Sequence, residues 1–274
     1  MRNISMIRSN FYSARMKLYV LITIVITSYL LAGCSPSQGS PAETSRVSPE
    51  AISAAVTKAD ELFAGNKEIE ALRSAVNLLA AVRDPEKRSY DVEWRFAKMS
   101  FFLGQRLETG SEKTPVYEKG RDAGLIASRV EPDRPEGHFW YGANLGELAK
   151  LSPVTVGIRS VDDIREAMKR VIELQPDYQG ASAFEALAQL EMRTRTIGGG
   201  TAERAVELLE KALEYEKENV RVLVNLAEAY LAVRKDAQAR VQLEKVLKMQ
   251  PHPEYVFEHQ EAVERARELL KRNF

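Results

Sequence analysis

Apolar residues recur at helical spacing along most of this chain, and the pattern is clearest in residues 220–251. The first helix of this stretch carries apolar or small residues at i, i+3, i+4 and i+7, which are Leu223, Leu226, Ala227 and Tyr230. The second helix carries Ala239, Leu243 and Val246, and Pro251 ends it. Small residues let two antiparallel helices approach closely, while larger ones fill the space around the contact. The stretch therefore predicts one helical hairpin.

The same order of bulky and small positions recurs four times upstream, with larger departures from this template. One hairpin cannot bury both of its faces, so neighbouring hairpins are expected to stack. No stretch alternates apolar and polar residues convincingly in the manner of a strand. We therefore predict an all-α fold, an antiparallel helix-hairpin superhelix of about five hairpins and a C-terminal capping helix. Its period of about 34 residues resembles the tetratricopeptide repeat, or TPR.

The first two hairpins follow the template loosely. In the first, residues 52–63 form one helix, and the packing face of the next consists of Ala71, Ala75, Leu78 and Val82. In the second, the positions equivalent to the first helix of the template are Trp94, Ala97, Lys98 and Phe101. Residues 110–115 are predicted to lie in a lengthened connection. Gly120 and Gly124 follow in the second helix, where each glycine costs about 1 kcal/mol relative to alanine, so a close helix crossing is expected.

The later hairpins are closer to the template. The third opens at Pro135, and Ser160 is expected to cap its second helix after an insertion at about residues 151–157. The fourth repeats the template at Phe184, Leu187, Ala188 and Glu191, then at Ala205, Leu209 and Ala212. After the fifth hairpin, residues 253–271 form the predicted capping helix, with Tyr255, Val256, Ala262, Val263, Ala266 and Leu270 as its apolar positions.

The N-terminal residues have the layout of a secretory signal. Basic residues precede an apolar run at residues 18–31, which is shorter than the ~20 residues of a membrane span. The run ends in Leu31-Ala32-Gly33-Cys34, which resembles the lipobox of bacterial lipoproteins, where the cysteine is lipidated and cleavage occurs before it. The alternative is a transmembrane anchor with a chance cysteine. We favour the lipobox and predict lipidation of Cys34, the only cysteine.

These features divide the chain into a signal peptide at residues 1–33, a flexible tether at residues 34–49 and one helical-repeat domain at residues 50–274. Ser35 stands where an aspartate would retain a lipoprotein in the inner membrane, so the expected location is the outer membrane, facing the periplasm. Cleavage removes four basic and no acidic residues from a chain with 39 of each, which leaves a mildly acidic protein. We therefore predict no nucleic-acid partner, because no basic run supplies the required surface.

Residues with catalytic or metal-binding chemistry are few and scattered. The three histidines, His138, His252 and His259, do not form a Cys/His zinc set. Gly198-Gly199-Gly200-Thr201 precedes a helix but lacks the Lys-Ser/Thr ending and the preceding strand of a P-loop, so a turn with Thr201 as N-cap is favoured. No serine lies in a nucleophile-elbow motif. We predict neither an enzyme nor a bound cofactor or metal.

Several motifs resemble the TatT family, the lipoprotein component associated with TRAP transporters. They are the lipobox, the helix Phe139-Trp140-Tyr141-Gly142-Ala143-Asn144-Leu145-Gly146, the helix end Leu174-Gln175-Pro176-Asp177-Tyr178, and Gly198-Gly199-Gly200 leading into Ala205, Leu209, Glu210 and Ala212. The resemblance implies a trimeric periplasmic helical-repeat protein with a central cleft or pore that partners the transporter's periplasmic substrate-binding protein. Similar hairpins occur in eukaryotic regulator-of-microtubule-dynamics proteins, a setting that a bacterial lipobox argues against.

The concave side of the superhelix is the candidate binding surface, because the first helix of each hairpin lines it. Its predicted residues are Arg95, Met99, Phe102, Phe139, Trp140, Asn144, Gly146 and Gln189, with Ala143, Glu147, Glu185, Arg221 and Glu228 on the same helix faces. Plain core packing is the alternative for each aromatic residue, but as a group they favour a small apolar ligand. Gly142 occupies a small-residue position of the template, whereas nothing in the repeat requires Gly146. We therefore expect Gly146 to border the cleft.

Two functions remain open at this point. The first is a lipid-anchored docking component of a TRAP-type transporter that binds its substrate-binding protein. The second is a periplasmic carrier for a small apolar ligand, or a general envelope scaffold.

Overall fold

Eleven α-helices follow one another in the parts of the chain that the computed structural model describes, which are residues 47–65, 68–197, 199–251 and 256–274. Ten of them pair into hairpins: α1 (Pro49–Gly65) with α2 (Ile69–Ala81), α3 (Tyr90–Arg106) with α4 (Gly110–Val130), α5 (Pro135–Leu151) with α6 (Ile158–Leu174), α7 (Tyr178–Thr194) with α8 (Ala202–Tyr215), and α9 (Val220–Ala232) with α10 (Asp236–Lys248). The last helix, α11 (Val256–Asn273), packs on both α9 and α10. The predicted all-α superhelix of five hairpins and a capping helix is confirmed.

The first helices of successive hairpins form an inner layer. α1 contacts α3, α3 contacts α5, α5 contacts α7, α7 contacts α9, and α9 contacts α11. Each helix also packs on the next one along the chain. A continuous inner surface results, as expected for hairpins that stack on one another. Within the described ranges, no helix is both long and apolar enough to cross a membrane.

Two hydrophobic cores lie along this array. The N-terminal core includes buried residues from Ala55 to Leu190, and the C-terminal core includes buried residues from Ala181 to Leu269. Helix α7 contributes to both, because Ala183 and Leu187 belong to the first core while Phe184 and Ala188 belong to the second. The two faces of this one helix therefore join the cores.

The C-terminal hairpins follow the sequence template closely. All the predicted packing positions of the fourth and fifth hairpins are buried: Phe184, Leu187, Ala188, Glu191, Ala205, Leu209, Ala212, Leu223, Leu226, Ala227, Tyr230, Ala239, Leu243 and Val246. The Tyr230 hydroxyl donates a hydrogen bond of 2.6 Å to Glu210. Thr201 caps α8 by accepting a hydrogen bond from the backbone N–H of Arg204, as predicted.

The N-terminal hairpins depart from the predicted register. In α3 the buried stripe is Phe96, Met99, Ser100 and Leu103, and it lies two residues later than the predicted stripe. Trp94, Lys98 and Phe101 are only partly buried. Helix α3 packs on α1, α2, α4 and α5, so several of its faces are covered and its sequence does not single out one of them. In α2, Leu72 and Leu79 are buried in place of Ala71 and Leu78.

Two helices begin earlier than predicted. Residues 110–115 open α4 and are not a connection, because Thr109 forms a capping box with Glu112 that fixes the helix start, and Pro115 lies inside the helix. A π-helical turn, Pro153–Gly157, occupies the predicted insertion and runs directly into α6. Ser160 consequently lies buried within α6 and does not cap it.

The expected close helix crossing is present between α4 and α5. A Cβ atom at Gly120 would clash with the side chain of Asn144, and one at Gly124 would lie 2.5 Å from the backbone nitrogen of Tyr141. At Gly124 the two helices therefore approach to backbone contact, and at Gly120 the missing side chain leaves room for Asn144. At the far end of the array, the capping helix buries Ala262 and Ala266 as predicted, but Leu269 in place of Leu270, while Val256 is exposed. The predicted position Tyr255 lies outside the described residues.

Candidate functional site

A cavity of about 1130 Å³ lies on the inner side of the superhelix. Residues of α3, α5, α6, α7 and α9, the π-helical turn, and the beginning of α11 line it. Cavities that bind small molecules typically measure about 300–1,000 Å³, so this one accommodates a ligand of substantial size.

Four aromatic residues form one side of the cavity, and we call them the aromatic wall: Phe101, Phe102, Phe139 and Trp140. Their rings contact one another, with centroid distances of 4.9 Å for Phe139–Trp140, 5.5 Å for Phe101–Trp140 and 5.8 Å for Phe102–Trp140. The indole N–H of Trp140 donates a hydrogen bond of 3.2 Å to the hydroxyl of Tyr178. Because the polar atom of the indole is satisfied there, its ring is fixed as part of an apolar surface.

Two glycines of α5 line the cavity beside this wall, and they differ in their surroundings. A Cβ atom at Gly142 would lie 2.6 Å from the terminal methyl group of Met168, whereas one at Gly146 would have no atom within 4 Å. Gly142 therefore lies at the contact between α5 and Met168 of α6. At Gly146 the backbone of α5 borders open space within the cavity.

A second side of the cavity is polar, and we call Glu185, Gln189 and Arg221 the polar wall. Glu185 is only 2% exposed, and its Oε1 atom accepts hydrogen bonds from Arg221 (2.9 Å), Asn225 (2.9 Å) and Gln189 (3.1 Å). The charge of Glu185 raises the pKa of the Arg221 guanidinium, and the charges of Glu258 and Glu147 act in the same direction. Arg221 is thus held charged and fixed in position at the cavity surface.

The backbone at the start of α7 is strained where it meets the cavity. Gln179, Gly180 and Ala181 have φ values of 51°, 63° and 61°, in the left-handed region that residues other than glycine rarely adopt. Asn219 donates a 3.4 Å hydrogen bond to the carbonyl oxygen of Gly180. Strained backbone of this kind persists only where the surrounding structure stabilises it. Such residues are found most often at binding sites and switch regions.

Three strongly exposed apolar side chains mark the opening of the cavity, and we call them the apolar rim: Val154 (80% exposed), Ile158 (59%) and Ile197 (62%). Val154 lies in the π-helical turn, and Ile158 is the first residue of α6. Single-turn π-helices are rare and occur frequently at functional sites.

Five of the eight predicted groove residues line the cavity, namely Phe102, Phe139, Trp140, Gly146 and Gln189. The same holds for Ala143, Glu147, Glu185 and Arg221 among the further positions on those helix faces. Glu228 lies elsewhere, because it accepts a 2.7 Å hydrogen bond from Arg265 of α11.

Arg95, Met99 and Asn144 do not line the cavity. Arg95 pairs with Asp60 and Asp91, at 2.8 Å in each case, and so connects α1 to α3. Met99 is completely buried, since the stripe that packs in α3 is displaced from the predicted one.

Asn144 is also completely buried, between α3, α4 and α5. Its amide donates to the backbone oxygens of Ala97 (3.1 Å) and Trp140 (2.7 Å), and its side-chain oxygen faces Gly120. Asn144 therefore fixes the packing of the helices behind the aromatic wall.

Sequence reasoning missed the apolar rim and the contribution of α11. Glu258 and His259 of α11 line the cavity, and Arg106 at the end of α3 approaches Glu258 at 3.7 Å and lies 4.1 Å over the ring of Phe257. A repeat pattern does not predict this contact, because the two helices are far apart in sequence. The apolar rim could have been predicted from one feature of the sequence, the presence of apolar residues in an insertion relative to the template.

The described residues include no group of three or more His, Cys, Asp or Glu side chains that could hold a metal ion. His138 contacts the backbone oxygen of Pro132 at 2.9 Å, away from the cavity. His252 and Cys34 lie outside the described residues.

Known proteins share this architecture. A tetratricopeptide-repeat family model matches residues 197–256. The solved structure of a thermophilic TPR protein from Thermus thermophilus superposes with a TM-score of 0.54 at 15% identity, covering 77% of this chain and 98% of that one. The chain therefore contains tetratricopeptide repeats and has a TPR-like fold.

A second family model, that of regulator of microtubule dynamics proteins 1–3, matches residues 55–184 of this TPR protein. Regulator of microtubule dynamics protein 3 from Mus musculus is 25% identical over 146 residues, which are 53% of this chain and 31% of that protein. The Rattus norvegicus protein is 25% identical over 128 residues, or 47% of this chain and 27% of its own length. The chain thus aligns with less than a third of the length of these curated relatives.

Proposed function

We propose that this TPR protein is a lipid-anchored component of the bacterial envelope that docks the periplasmic substrate-binding protein of a TRAP-type transporter. Stacked helical hairpins serve as scaffolds for protein–protein interaction. The observation that carries the proposal is the apolar rim, because exposed apolar residues grouped around an opening mark interaction sites. The nature of the partner follows from the resemblance of the lipobox and of residues 139–146 to the TatT family.

Attachment to the membrane belongs to the same proposal. The thiol of Cys34 carries the lipid, and residues 35–48 separate it from the first helix, with a reach of at most about 3.3–3.6 Å per residue. A Cys34→Ser chain with its signal removed is expected in the soluble fraction. If that chain pellets with membranes in high salt, the anchor lies elsewhere.

Charged substitutions in the apolar rim test the docking function. Val154→Asp and Ile158→Asp should each weaken binding to the substrate-binding protein of the cell's own TRAP transporter by tenfold or more, which is about 1.4 kcal/mol. Titration calorimetry measures this effect with the full chain. The matched control is Val241→Asp on α10, because Val241 is 62% exposed and does not line the cavity.

The comparison decides the proposal in either direction. Weaker binding in both rim variants, with unchanged binding in the control, supports docking at the rim. Equal affinity in all four proteins would place the partner on another surface or remove it altogether.

A second function, transport of a small apolar ligand within the periplasm, is favoured by the aromatic wall and the open space at Gly146. Gly146→Leu should place its side chain in the cavity without a clash and reduce the bound ligand at least tenfold. Organic extraction of the purified protein followed by mass spectrometry measures that ligand. Gly110→Leu is the control, because Gly110 does not line the cavity and its Cβ would meet its nearest neighbour, Leu151, at 3.8 Å. An unchanged amount of extracted ligand in Gly146→Leu argues against binding beside α5.

A further inference from the structure

We propose that the cavity recognises an amphipathic ligand with a carboxylate head group, which Arg221 binds while the alkyl part contacts the aromatic wall. This inference rests on the ligand-carrying function proposed above. It specifies that the ligand is negatively charged and that Arg221 is the residue that recognises this charge.

Arg221 presents unused hydrogen-bond donors to the cavity. Its Nη2 atom donates to Glu185, whereas its Nε and Nη1 atoms make no hydrogen bond within the described parts of the chain. The side chain is 45% exposed even though it lines the cavity, so its accessible surface is available to a ligand there. A guanidinium group binds a carboxylate through paired N–H groups, which gives both affinity and orientation.

Glu185 determines where Arg221 points, and its Oε1 atom is already occupied by donors of the protein. It is almost completely buried, and one of its oxygens already accepts three hydrogen bonds. A ligand donor would have to displace one of these groups to reach Oε1. The side chain of Arg221 is 45% exposed and that of Glu185 only 2%, so Arg221 is the more accessible group of the pair, and the ligand group complementary to it is an acceptor.

Two of the other carboxylates that line the cavity have a cation beside them. Glu147 pairs with Lys150, and Glu258 lies 3.7 Å from Arg106, so each of these carboxylates has its own cation. Arg193 lines the cavity and forms no ion pair with any described residue. It contributes a further positive charge to the lining of the cavity.

Two further features of the site bear on the charge of the ligand. Glu216 and Glu218 also line the cavity, and because both are exposed, solvent and salt screen their charges, as they screen the charge of the exposed Arg193. Arg221 lies in the first turn of α9, and the partial positive charge at the start of a helix favours an anion nearby. The position beside Arg221 therefore favours a carboxylate over an amine.

The shape of the cavity adds the apolar part of the ligand. The aromatic wall comes from α3 and α5, whereas the polar wall comes from α7 and α9. A molecule that contacts both walls has a carboxylate at one end and a hydrocarbon chain at the other.

Three probes with the same chain and different head groups test this inference: octanoate, octanol and octylamine. Titration calorimetry with the full chain should show octanoate binding at least tenfold more tightly than octanol or octylamine, a difference of about 1.4 kcal/mol. Quenching of tryptophan fluorescence gives a second readout, because Trp140 lies in the aromatic wall.

Arg221→Met should abolish the preference for octanoate and leave octanol binding unchanged. Because that variant leaves the buried carboxylate of Glu185 without its cation, the double variant Arg221→Met/Glu185→Gln repeats the test with a neutral pair. Arg240→Met is the control, since Arg240 forms a 2.8 Å ion pair with Glu244 on α10 and does not line the cavity.

The outcomes separate this inference from the function on which it rests. Equal binding of all three probes, tighter binding of octylamine, or a preference for octanoate that survives in a folded Arg221 variant overturns the carboxylate assignment and leaves ligand binding intact. Failure of all three probes to bind overturns the ligand-carrying function as well.

Discussion

The two cores of this TPR protein achieve close helix packing by different means. The C-terminal core places alanines at its helix contacts, as at Ala188, Ala227 and Ala239, with leucines around them. The N-terminal core includes contacts at which glycine meets backbone, as where Gly124 faces Tyr141. Contacts through alanine keep the spacing between helices similar from one repeat to the next. Contacts through glycine bring the helix backbones closer together and restrict how the two helices can shift relative to each other.

The cavity lies where these two kinds of packing meet. Its aromatic wall comes from helices of the N-terminal core, and its polar wall comes from α7, which both cores share, and from α9. A regular repeat alone supplies the superhelix but no enclosed site. The departures from regularity in the N-terminal half, including the π-helical turn, shape the cavity and its opening.

Removal of the Tyr230 side chain should have the largest effect on stability, because it leaves a void in the C-terminal core. Tyr230→Ala is expected to lower the free energy of unfolding by about 3 kcal/mol or more, since a buried aromatic side chain is lost. Tyr230→Phe keeps the ring and loses only the hydrogen bond to Glu210, at a cost of about 1 kcal/mol. Chemical denaturation measures both variants. A Tyr230→Ala protein as stable as the parent would contradict the register of this hairpin.

The same tyrosine makes a specific contribution to alkaline stability. Burial, with the hydrogen bond to Glu210, raises the pKa of Tyr230 to about 12 from its usual value near 10. The unfolded chain therefore loses this proton first, and the corresponding stabilisation is present below pH 10 and declines between pH 10 and 12. Between pH 10 and 12, the free energy of unfolding of Tyr230→Phe should therefore fall less steeply with pH than that of the parent. Parallel curves would show that Tyr230 does not titrate differently in the two states.

Alanine substitution at Gly124 and at Gly146 should change the stability of the fold by smaller amounts. The two changes should have opposite signs. Gly124→Ala introduces a Cβ atom 2.5 Å from the backbone of Tyr141, so overpacking should destabilise the fold by about 1–3 kcal/mol. Gly146→Ala meets no atom within 4 Å, and it should stabilise the fold by up to about 1 kcal/mol through helix propensity. Thermal unfolding of both variants measures the difference. Stabilisation by both substitutions would show that the α4–α5 crossing is looser than its glycines indicate.

The contrast between the cores also explains what could be predicted from the sequence. The register of α9 was predictable because Leu223, Leu226 and Tyr230 pack within one repeat that resembles its neighbours. The register of α3 was not, because this helix is covered by four others and buries residues on several faces, including Glu93 and Met99.

The cavity likewise contains residues whose positions could be predicted and residues whose positions could not. The open space at Gly146 could be inferred, because the repeat itself gave no reason for a glycine there. Burial of Asn144 against Gly120 depends on how closely α4 approaches α5, and no spacing within one helix encodes that distance. Val154 lines the cavity because an insertion carries it there, and Glu258 lines it because the capping helix packs nearby. The repeat pattern predicts neither position.

The contact between the end of α3 and the start of α11 should have the smallest effect on overall stability. Arg106 lies 3.7 Å from Glu258 and 4.1 Å over the ring of Phe257, while its Nη1 atom and Oε1 of Glu258 have no hydrogen-bond partner in the described parts of the chain. Because desolvation offsets most of the attraction in such an imperfect buried pair, the double variant Arg106→Met/Glu258→Gln, which leaves neither charge unpaired, should change the free energy of unfolding by only about 1 kcal/mol. Amide exchange in the first turns of α11 should nevertheless become faster. Arg265→Met, which breaks a 2.7 Å pair with Glu228 further along α11, is the control and should leave those first turns protected. Equal exchange in the parent and the double variant would mean that packing on α9 and α10 alone holds the start of α11 over the cavity.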